Sequence, residues 1–297
     1  MVRPTARGAS GFQTRTAALN YRHHFHAGNF ADLVKHAVLL GLLERLARDP
    51  APLAVLDTHA GAGAYDLSGA ESKKSGEAER GIAKLMADET APTAFDGLKA
   101  MVRRLNPEGG LRFYPGSPWL TVKALRKGDS YRGHELRPDD YLALSALLKR
   151  EAGAVDAQAS RFDGYAALAA PSKVRRLVLI DPPFERGDEY AQILAGLPSA
   201  LAQRGTVAAV WLPVKDLETL DAFLSGLEAL HHPLLLAQAR LRPLHDPLKM
   251  NGCAMALIGH GVTGLGIEPG LRAICDWTAR ALGDAGAAAK LDRLPPS

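Results

Sequence analysis

Asp181-Pro182-Pro183-Phe184 places an acid, two prolines and an aromatic ring directly after the apolar run 177–180. The exocyclic amino group of a base such as adenine is a poor nucleophile, because its lone pair is delocalised into the ring. Asp181 can accept one amino hydrogen. The carbonyl of Pro182, a residue with a fixed φ and no competing N–H, can accept the other. Two acceptors on one amino group localise the lone pair toward an electrophile, so the chemistry is orientation plus placed electrostatics. Phe184 can stack on the base, which must leave any helical stack to reach such a pocket. The plainer reading is that Asp-Pro-Pro merely ends a strand. A glycine turn and a ribose-type acid upstream weigh against it.

The glycine turn is Thr58-His59-Ala60-Gly61-Ala62-Gly63, and it follows the apolar run Leu53-Ala54-Val55-Leu56 and Asp57. Glycines there let the backbone approach a cofactor closely. A dinucleotide fingerprint needs a third glycine three positions after the second, and that position holds Asp66. Asp57 and Asp66 would also repel a pyrophosphate. They suit a cation, and the sulfonium and ammonium of S-adenosylmethionine are cations that serve transfer to an amino group. Glu135 ends a strand expected over 131–136 and can accept two hydrogen bonds from a ribose diol. Asp163-Gly164 follows a short strand, where a carboxylate can take a cofactor's adenine amino group. The bland readings are a structural Gly-x-Gly turn, a surface glutamate and a plain Asp-Gly turn.

Strands and helices must alternate to hold these residues. Apolar spacing predicts a helix over 31–47, ended by Pro50 and Pro52. Two further helical patterns cover 77–86 and 95–105. Ser117-Pro118 reads as an N-cap with proline at the first helical position, and another helix follows over 140–149. Continuous apolar runs at 177–180 and 206–212 read as strands buried on both faces. Segments 234–241 and 253–258 form a closing pair around the loop 242–252. The pattern is a doubly wound α/β sheet, whose ligands sit beyond the carboxyl ends of the strands.

The 297 residues suit one large domain or a domain with an insertion. No apolar run approaches a membrane span, and the first residues lack the apolar segment of a secretory signal. With Cys253 and Cys275 alone, a disulfide framework or cysteine-based metal site is not expected, and a reducing cytoplasm fits. Residues 1–50 hold seven Lys/Arg against three acids. A second basic stretch runs from Arg103 to Arg137. Such patches attract phosphate backbones, although a solvated surface is the bland alternative.

Asp-Pro-Pro-Phe resembles the motif of methyltransferases acting on amino groups of adenine, cytosine or glutamine. Tyr is commoner at the last position, and Phe184 keeps the stacking face without the hydroxyl. Four longer segments narrow the resemblance. They are Tyr21-Arg22-His23-His24-Phe25-His26-Ala27-Gly28-Asn29 followed by Asp32-Leu33-Val34-Lys35-His36, Leu56 through Gly63, Tyr114-Pro115-Gly116-Ser117-Pro118, and Trp211-Leu212-Pro213-Val214. Together they resemble the bacterial 23S rRNA adenine-2030 N(6)-methyltransferase J family (RlmJ), over nearly the whole chain from Leu19.

The resemblance implies a Rossmann-like S-adenosylmethionine-dependent methyltransferase fold with an inserted small helical subdomain. The expected division is a disordered leader over 1–18, a methyltransferase domain over 19–65 and 107–275, a helical insertion over 66–106, and a tail over 276–297. The resemblance also implies that His36, His59, Ser117, Glu135, Asp163 and Gly164 contact S-adenosylmethionine, and that Asp181 is catalytic. Tyr21, His23 and Lys35 would belong to a segment folded over the active site. From its helical position alone, His36 reads as a satisfied core histidine. The histidines between 23 and 36 could also suggest a metal, but the transfer needs none. The expected partner is 23S rRNA, the expected state a monomer and the expected location the cytoplasm. DNA adenine or protein glutamine methylation, and a catalytically silent RNA-binding module, remain as alternatives.

Overall fold

The computed structural model describes residues 26–69, 74–244 and 249–294. The leader expected over 1–18, and Tyr21 and His23, lie outside them. The first helix, Phe30–Leu46, starts where the Asn29 side chain accepts a hydrogen bond from the Asp32 N–H at 3.0 Å. It packs against one strand of the sheet and against helices Asp96–Leu105, Ser117–Ala124 and Glu268–Leu282. Being covered from several directions, it buries Leu33, Val34, Val38, Leu39 and Leu42 completely.

The central sheet is built from β1 (Leu53–Asp57), β4 (Ser130–His134), β5 (Asp156–Ser160), β6 (Arg175–Ile180), β7 (Thr206–Val214), β8 (Leu234–Arg240), β9 (Gly252–Ile258) and β10 (Ala288–Leu294). Their order is β10-β8-β9-β7-β6-β1-β4-β5. Strands β5, β4, β1, β6 and β7 run parallel, whereas β9 pairs antiparallel with both β7 and β8. The chain passes from β1 out to β4 and β5, then returns to β6 on the other side of β1. That reversal opens a crevice beyond the carboxyl ends of β1 and β6. No helix among the described residues is long and apolar enough to cross a membrane.

A small antiparallel ribbon, β2 (Ala64–Asp66) and β3 (Phe113–Pro115), carries the chain out of the sheet and back. The pattern expected as a helix over 77–86 contains a π-turn, Glu79–Ala83, before the short helix Lys84–Ala87. Ile82, Leu85, Phe95, Leu98 and Val102 are buried in the same core as the first helix and Trp277. This insertion therefore shares the main core.

Two expectations need correction. Ser117 is not an N-cap: Gly116 holds that position, and the Ser117 hydroxyl donates to Asp57 Oδ2 at 2.7 Å. Nor are the described residues after 275 a loose tail. Helix Glu268–Leu282 buries Trp277 and Ala279, and β10 pairs with β8 along its length.

One glycine shows how tightly the carboxyl ends are joined. Gly164 opens the short helix Gly164–Ala167, and a Cβ there would lie 1.9 Å from the Thr58 carbonyl oxygen. Neither backbone can move without opening the sheet. Gly164→Ala should therefore lower stability by about 1–3 kcal/mol through overpacking, read as a lower thermal midpoint. An unchanged midpoint would mean that the Thr58 turn yields freely.

Candidate active site

Backbone hydrogen bonds pin the glycine turn after β1 on both sides. Thr58 N–H donates to the Leu179 carbonyl at 3.0 Å, and Ala60 N–H to the His134 carbonyl at 2.9 Å. The turn is thus fixed between the ends of β6 and β4. Gly61 has φ 61° and Gly63 φ 88°, the left-handed region that favours glycine. Glu135, just past β4, closes over this turn. Its Oε2 accepts the Gly61 N–H at 3.0 Å and its Oε1 the Arg137 N–H at 2.7 Å. Each oxygen keeps a second acceptor position. Burial pushes the Glu135 carboxyl above its ordinary pKa, opposed by these bonds.

Asp57 is buried under the turn. Its Oδ2 accepts from the Ser117 hydroxyl at 2.7 Å and the Tyr131 hydroxyl at 3.1 Å, while the buried Oδ1 accepts no hydrogen bond. Burial pushes its carboxyl up to about 6. Burial likewise pushes His59 down to about 4, so the imidazole is neutral near pH 7. His59 Nδ1 lies 2.8 Å from the Thr58 hydroxyl, and its ring meets Tyr165 edge-on at 4.8 Å. Asp163 N-caps the helix Gly164–Ala167, accepting from the Tyr165 N–H at 2.8 Å.

Asp181 stands at the end of β6, where the first helix reaches it. Lys35 Nζ donates to Asp181 Oδ2 at 2.5 Å and lies 2.9 Å from Asp32 Oδ1. Lys35 is 5% exposed and Asp32 2%. Burial opposes the Lys35 charge, but the two carboxylates outweigh it and hold the ammonium well above its ordinary value. Two carboxylates on one ammonium leave this group with net negative charge. Phe184 has φ 50°, a left-handed backbone that a bulky side chain rarely adopts. Its ring packs on Tyr190 at 4.9 Å and Trp211 at 5.8 Å.

One cleft of about 1040 Å³, open solvent included, is lined by eight of the sequence-predicted residues: Lys35, His36, His59, Ser117, Glu135, Asp163, Gly164 and Asp181. Pro182 and Phe184 flank Asp181 in the chain without lining it, whereas Pro183 does. His36 is 1% exposed, and its Nδ1 lies 2.8 Å from the buried Tyr114 hydroxyl, so it is both a cleft residue and a satisfied histidine. Sequence reasoning missed Asp32, Tyr165, Arg186 and Glu189. For Asp32 the signal was its i,i+3 spacing to Lys35 on a helix.

The basic stretch 103–137 also needs correction. Arg112 pairs with Asp66, Lys123 with Glu151, Arg126 with Asp129, Arg132 with Asp156 and Arg137 with Asp140. Arg126 further donates to the carbonyls of Ala47, Asp49 and Ala51 just beyond the first helix. Five of the eight cations of this stretch thus have a carboxylate partner within the fold.

The cleft lining holds the carboxylates of Glu135, Asp140, Asp163, Asp181 and Glu189 beside Lys35, Arg137 and Arg186, and Asp57 is buried under the adjoining turn with Oδ1 unbonded. The acceptor positions left open on Glu135 and Asp163 fit a ligand that brings hydroxyl and amino donors. They do not fit a pyrophosphate.

The family model described as ribosomal RNA large subunit methyltransferase D, RlmJ, matches residues 50–293. Ribosomal RNA large subunit methyltransferase J of Escherichia coli (strain K12) is 34% identical over 242 residues, covering 81% of this chain and 86% of that protein. The protein of the same name from Haemophilus influenzae is 35% identical over 243 residues, with the same coverage. The crystal structure of protein LPL1258 from Legionella pneumophila superposes with a TM-score of 0.81 at 28% identity, covering 90% of this chain and 98% of that one. The family model spans both the glycine turn and the Asp-Pro-Pro-Phe strand end, and two relatives match over four-fifths of the chain: the chain belongs to the RlmJ family of ribosomal RNA large subunit methyltransferases.

Proposed function

We propose that this chain transfers the methyl group of S-adenosylmethionine to the N6 amino group of an adenine in 23S rRNA, at an A2030-type position, in the cytoplasm. The observation that carries the reading is Asp181, set at the cleft wall with Oδ2 tied to Lys35, which leaves Oδ1 for an amino hydrogen. The names of the curated relatives support large-subunit rRNA as the substrate.

S-adenosylmethionine supplies the electrophilic methyl carbon when bound. Glu135 holds the ribose diol with the acceptor positions that Gly61 and Arg137 leave. Asp163 accepts from the cofactor's adenine amino group, with Gly164 and His59 beside it. Ser117 and His36 line the cleft, and the ionised form of Asp57, to which Ser117 donates, favours a cation nearby. Lys35 fixes the orientation of Asp181 through Oδ2. Asp181 and the Pro182 carbonyl then accept the two hydrogens of the target amino group and aim its lone pair. As the nitrogen–carbon bond forms, the carbon–sulfur bond breaks and leaves a neutral thioether. Positive charge develops on that nitrogen, and the Asp32–Lys35–Asp181 group stabilises it more in the transition state than in the ground state. The surplus proton leaves through Asp181 to solvent. Phe184, braced by Tyr190 and Trp211, offers the ring on which the base stacks.

Three outcomes are expected. Asp181→Asn keeps the shape but loses the charge and one acceptor, so methylation of rRNA should fall on the order of a hundredfold or more. Its cofactor affinity, measured by calorimetry, should stay close to the parent value. Turnover near the parent rate would remove the proposed mechanism. Glu135→Ala should weaken S-adenosylmethionine binding about tenfold, the loss of charge-assisted hydrogen bonds; unchanged calorimetric affinity would take Glu135 out of the site.

The third concerns pH. A raised carboxyl favours folding in its protonated form, so without ligand Asp57 turns against stability as pH rises through about 6. A bound cation reverses that preference. Cofactor affinity should therefore climb as pH rises through about 6 and then level off. Asp57→Asn should flatten the climb, and a parent profile already flat there would exclude Asp57 as the titrating group.

A further inference from the structure

Arg176 lies inside β6 and is 4% exposed. Val178 and Ile180, two and four residues on, share its face of the strand and enter a core that also takes Ala167 and Leu168. A guanidinium among such neighbours is costly unless polar groups replace its water. No carboxylate among the described residues pairs with it, and burial alone pushes its guanidinium below the ordinary pKa. Two carbonyl oxygens take the place of an acid. Nη1 donates to the Ala170 carbonyl at 2.8 Å and Nη2 to the Ala167 carbonyl at 3.5 Å.

Both oxygens stand at the end of the segment that begins at Asp163. Helix Gly164–Ala167 runs on into a tighter turn, in which the N–H groups of Leu168, Ala169 and Ala170 donate to the carbonyls of Tyr165, Ala166 and Ala167. The last carbonyls of a helix lack partners within it and carry partial negative charge, which suits a cation. The opposite end of the segment is in the cleft, where Asp163, Gly164 and Tyr165 line the wall. Gly164, pressed on the Thr58 carbonyl, fixes one point of the segment but not the direction in which it leaves that point. Arg176 fixes a second point about 9–12 Å further on, the rise of six helical residues. Its charge is also felt in the cleft. After burial, Arg176 is the largest influence pushing the cleft-lining His134 imidazole below its ordinary value, and Asp163 opposes it.

We infer that Arg176 is a positioning residue for the cofactor: through the carbonyls of Ala167 and Ala170 it holds the Asp163 carboxylate where it reads the 6-amino group of the cofactor's purine. The inference rests on the reading of Asp163 given above. It makes a cation buried in the strand below the cleft part of the selection for an aminopurine.

The test is calorimetry on the full chain with two ligands, S-adenosylmethionine and its analogue with hydrogen in place of the 6-amino group. A site built to hydrogen-bond an amino group rejects a ligand that lacks it. The parent should therefore prefer the amino form about tenfold or more, the effect of one charge-assisted hydrogen bond. Arg176→Met fills the same space without donors or charge. It should bring the preference down to about twofold by weakening the amino form, and leave the affinity of the desamino analogue close to the parent value. Arg176→Lys, which keeps a charged donor, should restore most of the preference. Asp163→Ala should abolish it, and Arg176→Met added to Asp163→Ala should change little more, because the two act through one contact. Thermal unfolding checks that each variant is folded. If Arg176→Met does not fold, Arg176→Gln, a shorter and neutral donor, should lower the preference in the same way. A folded Arg176→Met or Arg176→Gln that keeps the parent preference, or that loses affinity equally for both ligands, would overturn the inference and leave the reading of Asp163 standing. A preference that survives Asp163→Ala would overturn that reading, and the inference with it.

Discussion

The Lys35 ammonium, out of reach of bulk water, sits between Asp32 one helical turn away and Asp181 at the end of β6. Removing one member of such a buried set is costly, on the order of 3–5 kcal/mol, because it strands the charge left behind. The first helix is therefore held to the crevice in one rotational setting. That setting carries His36 into the cleft beside Lys35 and puts the helix start against the π-turn of the insertion. The proposed reaction site inherits its position from this one ion group.

The second constraint is the mutual closeness of the strand ends. Thr58, Ala60 and Gly164 approach neighbouring backbone so tightly that the turn after β1 has little slack. Glu135 is held by two backbone N–H groups before any ligand arrives. A carboxylate oriented in advance loses little freedom on binding, which is the advantage of preorganisation. The left-handed backbone at Phe184 belongs to the same economy of position. Strain of this kind persists only where the surroundings over-determine it, and Tyr190 and Trp211 do so here.

The parts of this architecture written as local patterns were legible in the sequence. The apolar runs at β1, β6 and β7 and the apolar spacing of the first helix are local signals, and the glycine turn and Asp-Pro-Pro-Phe carry their own chemistry. What was not legible depends on distant partners. Ser117 looked like a cap because Ser-Pro before an apolar segment usually is one, and only the fold brings Asp57 to its hydroxyl. The stretch 103–137 looked like a partner-binding surface because its counterions, Asp66, Glu151, Asp156 and Asp140, lie outside it or beyond its end. Strands β2 and β3 are three residues each, too short to leave a period. Tyr21 and His23 lie outside the described residues.

Strand β10 has a consequence for the behaviour of the whole chain in solution. Leu234, Leu235, Leu236, Ala237 and Ala239 of β8 are buried, so β8 is an interior strand by composition. It is interior by position only because β10 pairs with it. The cover strand is of the opposite character, with Lys290 paired to Asp292 and Arg293 paired to Glu268. Charged, ion-paired residues along an outermost strand disfavour pairing with another chain. A chain lacking these residues would present an apolar ladder of unpaired N–H and C=O groups to its neighbours. Such a chain would be prone to self-association through that edge even with its cleft unchanged, and so the last strand acts as a gatekeeper of solubility.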